Sequence, residues 1–213
     1  MEYILLILPY MLKGLGTTLI VFAITAVVSI PLGFVLALAR LRGNKAISWV
    51  VQTYILIMRG TPLLLQLIFI YLGLPLVGIT LDRLPASLLA FILNYAAYFA
   101  EIFRAGIESI PQGQYEAGRV LGLREHEIFL KVVLPQVIKR VIPPTANELM
   151  TLVKDTSLVY VVGMGDVLRA AKIAAVRDVT LIPLGLAGVL YLIVIGILTM
   201  LLKKAETKLS YYR

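Results

Sequence analysis

The chain has 213 residues, 60% of them hydrophobic, well above the roughly 45–50% of soluble domains. It has no cysteine and a single histidine, His126, which excludes disulfides and thiolate chemistry and disfavours a transition-metal site. The formal net charge is +8, but basic residues in so apolar a chain are typical of cytoplasmic loops, so nucleic-acid binding is disfavoured.

Five apolar stretches are each long enough to cross a bilayer, which takes about 20 residues. They predict an all-α integral membrane domain over residues 1–213. The spans are expected at about 16–39, 49–74, 84–107, 137–163 and 181–202, with a polar segment at about 109–135. The apolar residues 1–12 are too short to span and lack a basic region, so they predict an interfacial helix and not a cleaved signal peptide.

Lys and Arg are distributed unequally between the two sides that these spans define. One side, which includes the basic C-terminal tail, holds Arg40, Arg42, Lys45, Arg104, Arg119, Arg124, Lys131, Lys139, Arg140, Lys203, Lys204, Lys208 and Arg213. The other side holds only Lys13, Arg83, Arg169, Lys172 and Arg177. Because cytoplasmic loops carry the excess of Lys and Arg, the N-terminus is predicted outside and the C-terminus in the cytoplasm.

Span two carries polar residues on one predicted face. Gln52, Arg59 and Gln66 are spaced seven apart, and Pro62 removes a backbone donor and is expected to kink the helix. A charge inside the membrane costs at least about 2.5–3.5 kcal/mol, so Arg59 needs a compensating partner. Two interpretations stay open: the face lines a wet pathway, or Arg59 is a structural residue paired within the bundle.

Span three repeats this pattern with Asn94, Tyr98 and Glu101 on one face. Arg104 is three residues after Glu101 and four before Glu108, so it can pair with both within its own helix. A structural role is favoured for Glu101 and Arg104. Asn94 and Tyr98 lie deeper and are better candidates for lining a cavity.

Span four places two carboxylates, Glu148 and Asp155, on one face with Thr151 between them. Two acidic groups in one span are hard to explain against lipid, whereas a bundle interior that binds a cationic ligand explains them. The alternative is that Asp155 is paired with Arg59 or Lys154.

The polar segment between spans three and four predicts a short docking helix. Pro111 stops the membrane helix, residues 115–121 permit a helix with an apolar side, and Gly122 is placed to cap it. Such a helix can dock in a partner's groove, although an interfacial helix on lipid has a similar pattern.

The motif Glu116-Ala117-Gly118, then Gly122, then Leu134-Pro135 resembles the "EAA … G … I-x-LP" loop of binding-protein-dependent ABC import permeases. Gly118 stands where that family usually has a second Ala, and Val132 where it usually has Ile. Three further stretches resemble the polar amino-acid branch of the family: Arg59-Gly60-Thr61-Pro62-Leu63-Leu64 with Gln66, Ala97-Tyr98-Phe99-Ala100-Glu101-Ile102 with Arg104, and Lys154-Asp155-Thr156-Ser157-Leu158.

The resemblance implies a type I importer fold with five transmembrane helices in the cell membrane. It implies a second permease chain, with a homodimer favoured, a cytoplasmic ABC ATPase that carries ATP and magnesium, and an extracytoplasmic solute-binding protein. No catalytic residue is expected on this chain. The coupling helix that contacts the ATPase would comprise Gln114, Tyr115, Glu116, Ala117, Gly118, Leu121 and Gly122.

The carboxylate of Glu148 favours a basic amino acid as substrate, arginine first and then lysine or histidine, because a charge-assisted contact to a guanidinium or ammonium is strong in a low-dielectric cavity. The predicted substrate site comprises Glu148, Asp155, Thr151, Asn94, Tyr98, Arg59 and Gln66. The alternative class is a secondary transporter or cation channel subunit that uses its membrane carboxylates directly.

Overall fold

A computed structural model describes residues 2–209 of the chain, so Met1 of the predicted interfacial helix and Arg213 of the basic tail lie outside the described residues. The described part is helical, without a strand. Its elements are α1 (Glu2–Arg42), α2 (Lys45–Gly60), α3 (Leu63–Ile68) with a π turn (Phe69–Gly73) and a 3-10 turn (Leu74–Val77), α4 (Arg83–Glu108), α5 (Gln112–Val120), α6 (Glu125–Glu127) with a π turn (Ile128–Val133), α7 (Leu134–Asp155) with a 3-10 turn (Thr156–Val162), α8 (Val167–Arg177) and α9 (Ile182–Leu209).

Three of the described helices are long and apolar enough to cross a membrane: α1, α4 and the part of α9 at Ile182–Lys204. The pair Lys45–Gly60 and Leu63–Val77 makes a fourth if it is counted as one broken span. The predicted interfacial helix is not separate, because α1 runs unbroken from Glu2 to Arg42 through Pro9 and Pro31. The N-terminal segment and span one therefore form one helix.

The fourth predicted span corresponds to α7 and the 3-10 turn that follows it. At 22 residues, α7 is about 33 Å long, which matches the hydrocarbon core of a bilayer. Its composition does not mark it as a span, because it contains the charged residues Lys139, Arg140, Glu148, Lys154 and Asp155. It packs between α4 and α9, so protein neighbours take the place of lipid along much of its surface.

Helices α1 and α4 share the most extensive contact of the described helix pairs. A Cβ added to Gly33 of α1 would lie 2.6 Å from Cβ of Phe99 and 2.9 Å from the backbone of Ala96 and Ala100, so only glycine permits this approach. Phe34, next along α1, packs edge-on against Phe103 of α4 with ring centroids 5.3 Å apart. Without a hydrophobic driving force in lipid, close packing through small residues is what holds such helices together.

The loop between spans four and five contains a helix, α8, that was not predicted from the sequence. Asp166 is fully buried, and its carboxylate caps α8 by accepting hydrogen bonds from the backbone N–H groups of Leu168 and Arg169, both at 3.0 Å. The backbone of Asp166 packs against Gly14 of α1, where an added Cβ would lie 2.6 Å away. Helix α8 thus joins α1 and α9 in a separate apolar cluster at the end of the bundle distant from α5.

Replacing Gly33 by Ala should destabilise the bundle, because the new methyl group meets backbone atoms of α4 that cannot rotate away. Overpacking of this kind costs about 1–3 kcal/mol. Gly16→Ala on the same helix is the matched control, since no atom lies within 4 Å of the added Cβ. Thermal unfolding in detergent should show a lower midpoint for Gly33→Ala and an unchanged or higher one for Gly16→Ala; equal midpoints would contradict the packing argument.

Candidate functional site

Span two is broken in the middle, where Pro62 separates α2 from α3, and the two pieces are bent by 103°. The sequence predicted a kink at Pro62 and one continuous polar face through Gln52, Arg59 and Gln66. The bend breaks that face, because Gln66 belongs to α3 and its side chain turns back towards the end of α2. The prediction of one continuous polar face is therefore wrong.

The backbone at this break is held by two amide side chains. In an unbroken helix the carbonyl of Met58 would accept from the N–H of residue 62, but residue 62 is proline. Asn94 of α4 donates to this carbonyl at 2.8 Å, and Gln66 donates to it at 3.0 Å. Gln66 also donates to Thr61, to its hydroxyl at 2.7 Å and its carbonyl at 3.2 Å.

Two adjoining cavities lie along α4 and α7. The one at the break has a volume of about 410 Å³ and the one nearer α5 about 530 Å³. Arg59, Tyr98 and Glu148 line both. The cavity at the break adds Asn94, Thr151 and Asp155 of the predicted site, whereas Gln66 lines neither. Six of the seven predicted residues thus line the two adjoining cavities.

The two carboxylates of α7 differ in their surroundings. Asp155 accepts a hydrogen bond from the hydroxyl of Tyr95 at 2.8 Å, so part of its capacity is used within the protein. Glu148 is half-buried and makes no hydrogen bond or ion pair with any described residue. A charged carboxylate in that position is unfavourable without a partner, and a cationic group would stabilise it.

Arg59 lies at the end of α2 with its guanidinium 5.2 Å from the ring centroid of Tyr98, within the range of a cation–π contact. It forms no ion pair with a described residue, although it is near enough to Glu148 to act on it electrostatically. Asp155 forms no direct ion pair with Arg59 or Lys154 in the described part of the chain; its hydrogen-bond partner is Tyr95, and Lys154 acts on it only through its charge.

A charge network reaches the larger cavity through Glu101. Glu101 accepts from Arg104 in its own helix, as the spacing predicted, and Arg104 also pairs with Glu108. Glu101 in addition pairs with Arg40 of α1 at 2.7 Å, a long-range contact that helix periodicity could not show. Glu101 lines the larger cavity, but its carboxylate is already neutralised from two sides.

The predicted coupling segment folds as α5, with Gly122 in the left-handed conformation at φ +73° and the N–H of Leu123 bonded to the carbonyl of Gly118. The sequence suggested that the apolar residues of this helix share one side. In the structure they are divided between two sides. Tyr115 and Gly118 face the body of the protein, whereas Val120 and Leu121 are 87% and 77% exposed.

The outward surface of α5 also presents Gln114, Glu116 and Ala117, all exposed. Gln114 accepts from the side chain of Gln136 at 3.1 Å, which ties the start of α5 to α7. The exposed surface of α5 therefore combines polar residues near its start with an apolar end at Val120 and Leu121.

Ion pairs stiffen the turn that follows α5. Arg119 donates to Glu125 at 2.7 Å, and this contact holds the pKa of the Glu125 carboxyl below its usual value. Lys131 donates to Glu127 at 2.9 Å and likewise lowers the pKa of Glu127. Both pairs are intact at neutral pH and weaken only as the pH falls through the lowered pKa values.

Residues 29–206 match the family described as the binding-protein-dependent transport system inner membrane component. The chain belongs to this family, and it is a permease of an ABC importer for amino acids. ATP hydrolysis is carried by a separate ATPase, so the chain is not an enzyme. The resemblance and fold class predicted from the sequence are confirmed, and the family favours an ABC importer over a secondary transporter or channel.

Two curated relatives and one solved structure are similar over almost the whole chain. The arginine transport system permease protein ArtQ of Bacillus subtilis (strain 168) is 40% identical over 95% of this chain and 94% of its own length. The L-cystine transport system permease protein TcyB of the same organism is 34% identical over 96% and 88%. The crystal structure of an amino acid ABC transporter with histidines superposes with a TM-score of 0.91, at 32% identity and 97% coverage of both chains.

Gly118 departs from the alanine usual in the resembling motif, and the structure gives the reason. A Cβ at this position would lie 2.7 Å from Cγ1 of Ile128. Gly118→Ala should therefore displace the turn that follows α5 and lower transport several-fold, a cost of about 1 kcal/mol or more. In an Ile128→Ala background, which lacks Cγ1, Cγ2 and Cδ1, the same Gly118→Ala change should lower transport less. An equal loss in both backgrounds would show that the contact with Ile128 is not the cause.

Proposed function

We propose that the two cavities form the translocation site of the importer and that its substrate is a basic amino acid, arginine first and then lysine or histidine. The observation that carries this proposal is Glu148, a half-buried carboxylate that lines both cavities and has no hydrogen-bond or ion-pair partner among residues 2–209. A guanidinium or ammonium group would supply that partner.

Other residues of the site take supporting roles in this proposal. Asp155, which lines the cavity at the break together with Glu148, would add a second acidic group. Tyr98 would hold Arg59 through the contact of its ring with the guanidinium. Thr151 would contribute a hydroxyl for the substrate α-carboxylate. Arg59 is a weaker candidate for that carboxylate, since it also partly compensates the charge of Glu148.

The relatives support an amino-acid substrate without agreeing on one. ArtQ is named for arginine and TcyB for L-cystine, so overall similarity does not select between them. The similar solved transporter contains histidines, which are basic amino acids. The charge of the site is therefore the argument for a basic substrate in this chain.

For the assembly, we propose two identical permease chains, each docking one ATPase that carries ATP and magnesium, with a solute-binding protein outside. The α5 surface at Gln114, Tyr115, Glu116, Ala117, Gly118, Leu121 and Gly122 would be the coupling helix. The N-terminus would face outwards and the C-terminus the cytoplasm, in agreement with the excess of basic residues on the α5 side.

Glu148→Gln tests the substrate proposal in the complete importer reconstituted in vesicles. The variant keeps the shape of the side chain and loses its charge, so the KM for L-arginine should rise about tenfold or more, as expected for a lost charged hydrogen bond of about 1.5–3 kcal/mol. Uptake of radiolabelled L-arginine, L-lysine, L-histidine and L-glutamine gives the specificity.

Glu2→Gln is the control for that experiment, because Glu2 is exposed and far along α1 from the cavities. Its KM values should equal those of the unmodified importer. Arginine uptake by Glu148→Gln with unchanged KM and unchanged specificity would overturn the assignment of Glu148.

The coupling proposal is tested by placing charges on the exposed apolar part of α5. Val120→Asp with Leu121→Asp should abolish copurification with the ATPase while membrane insertion is retained, because a desolvated carboxylate opposes docking. Val179→Asp is the matched control, since Val179 is 91% exposed at the opposite end of the bundle. Full ATPase recovery with the α5 double variant would contradict the coupling role.

The homodimer is tested by counting the copies of this chain in the purified complex. Two copies are expected, and one copy beside a different permease chain would contradict the proposal.

A further inference from the structure

Asn94 and Gln66 form a compact hydrogen-bonded brace at the break in span two. Asn94 is 3% exposed, and one of its two N–H groups donates to the Met58 carbonyl while the other donates to Oε1 of Gln66 at 3.0 Å. The amide of Gln66 in turn donates to Met58 and Thr61. The donors of both side chains are therefore used by protein acceptors and are not available to a substrate.

The brace acts on the residue next to Arg59. Met58 immediately precedes Arg59, so fixing the Met58 carbonyl fixes the backbone from which the Arg59 side chain extends. Tyr98, whose ring lies beneath the Arg59 guanidinium, is one helical turn after Asn94 on α4. One face of α4 thus holds both the end of α2 and the charged group that α2 presents to the cavities.

The break cannot be held in another way by its own backbone. Pro62 has no N–H, and a carbonyl left without a donor inside a membrane-spanning bundle is unfavourable. If the two amides were absent, α2 could turn or shift against α4 to satisfy Met58, and Arg59 would move with it. Arg59 and Glu148 line the same two cavities, so such a movement changes the charge arrangement of the site.

We infer that Asn94 and Gln66 are positioning residues of the transport site, which supply the hydrogen bonds that Pro62 withholds from Met58 and so set the position of Arg59 relative to Glu148. This inference rests on the proposed function only in taking the two cavities as the transport site. It replaces the predicted substrate-binding role of these two residues.

The sequence offers a matched pair of variants. Gln52 and Gln66 are each seven residues from Arg59, but Gln52 is exposed on α2 and is not part of the brace. We therefore compare Gln66→Leu with Gln52→Leu in the complete importer, each alone and combined with Arg59→Gln. The readouts are KM and maximal rate for uptake of L-arginine, L-glutamine and L-cystine, together with the amount of permease in the membrane.

Gln66→Leu should raise the KM of the transported amino acid about fivefold, as expected for the loss of hydrogen bonds worth about 1 kcal/mol. In the Arg59→Gln background the same change should alter KM by less than about twofold, because the group that it positions is gone. Gln52→Leu should stay within about twofold in both backgrounds.

A purely structural brace would act independently of Arg59, so equal KM ratios in the two backgrounds would overturn the inference. It is also overturned if Arg59→Gln leaves KM unchanged while Gln66→Leu raises it. Asn94→Asp, which replaces a donor by an acceptor of the same shape, can take the place of Gln66→Leu in the same comparison with Arg59→Gln.

The importer could also transport L-glutamine or L-cystine and not L-arginine. If the effects of Gln66→Leu and Arg59→Gln on KM were then non-additive, the positioning role would stand and the basic-substrate proposal would be refuted.

Discussion

The structure depends on one constraint: a backbone carbonyl in a membrane-spanning segment needs a hydrogen-bond donor from the protein, because the hydrocarbon region supplies no water. Pro62 breaks span two and would leave the Met58 carbonyl without a donor, and α4 provides one through Asn94. That contact holds the end of α2 against α4 at the point where the chain turns by 103° into α3. The cavity at the break, with Arg59 among its lining residues, lies beside it.

Helix α7 carries the opposite kind of feature, charge in place of apolar surface. Helix α7 is less apolar than a typical membrane span because it contains charged residues such as Glu148 and Asp155. These charges are tolerated because α4 and α9 pack against the helix. Tyr95 satisfies Asp155, whereas no described residue satisfies Glu148. One carboxylate of the helix, Asp155, is thus bonded within the protein, and the other, Glu148, is available to a cation.

Much of this arrangement could be predicted from the sequence, and the limits have physical reasons. Helical spacing correctly grouped Glu148 with Asp155 and Glu101 with Arg104, because neighbours on one helix face are set by the chain alone. It could not show the pair Arg40–Glu101 or the contact of Asn94 with Met58, because both join helices that only the tertiary fold brings together. The polar face predicted through Gln66 is wrong because helical spacing holds only along an unbroken helix, and the kink expected at Pro62 is a break with a 103° bend. Helix α8 was missed because its cap, Asp166, lies in a polar stretch that resembles a loop.

The contact at Gly33 has a mechanical consequence. Helices α1 and α4 meet backbone to side chain at that point and are joined again by Arg40 and Glu101 towards the α5 end. Two contacts at separate points along a helix pair oppose both sliding and rotation of one helix past the other. Irregular backbone, which bends more easily, lies instead at the π-helical turn Ile128–Val133 before α7 and at the break in span two.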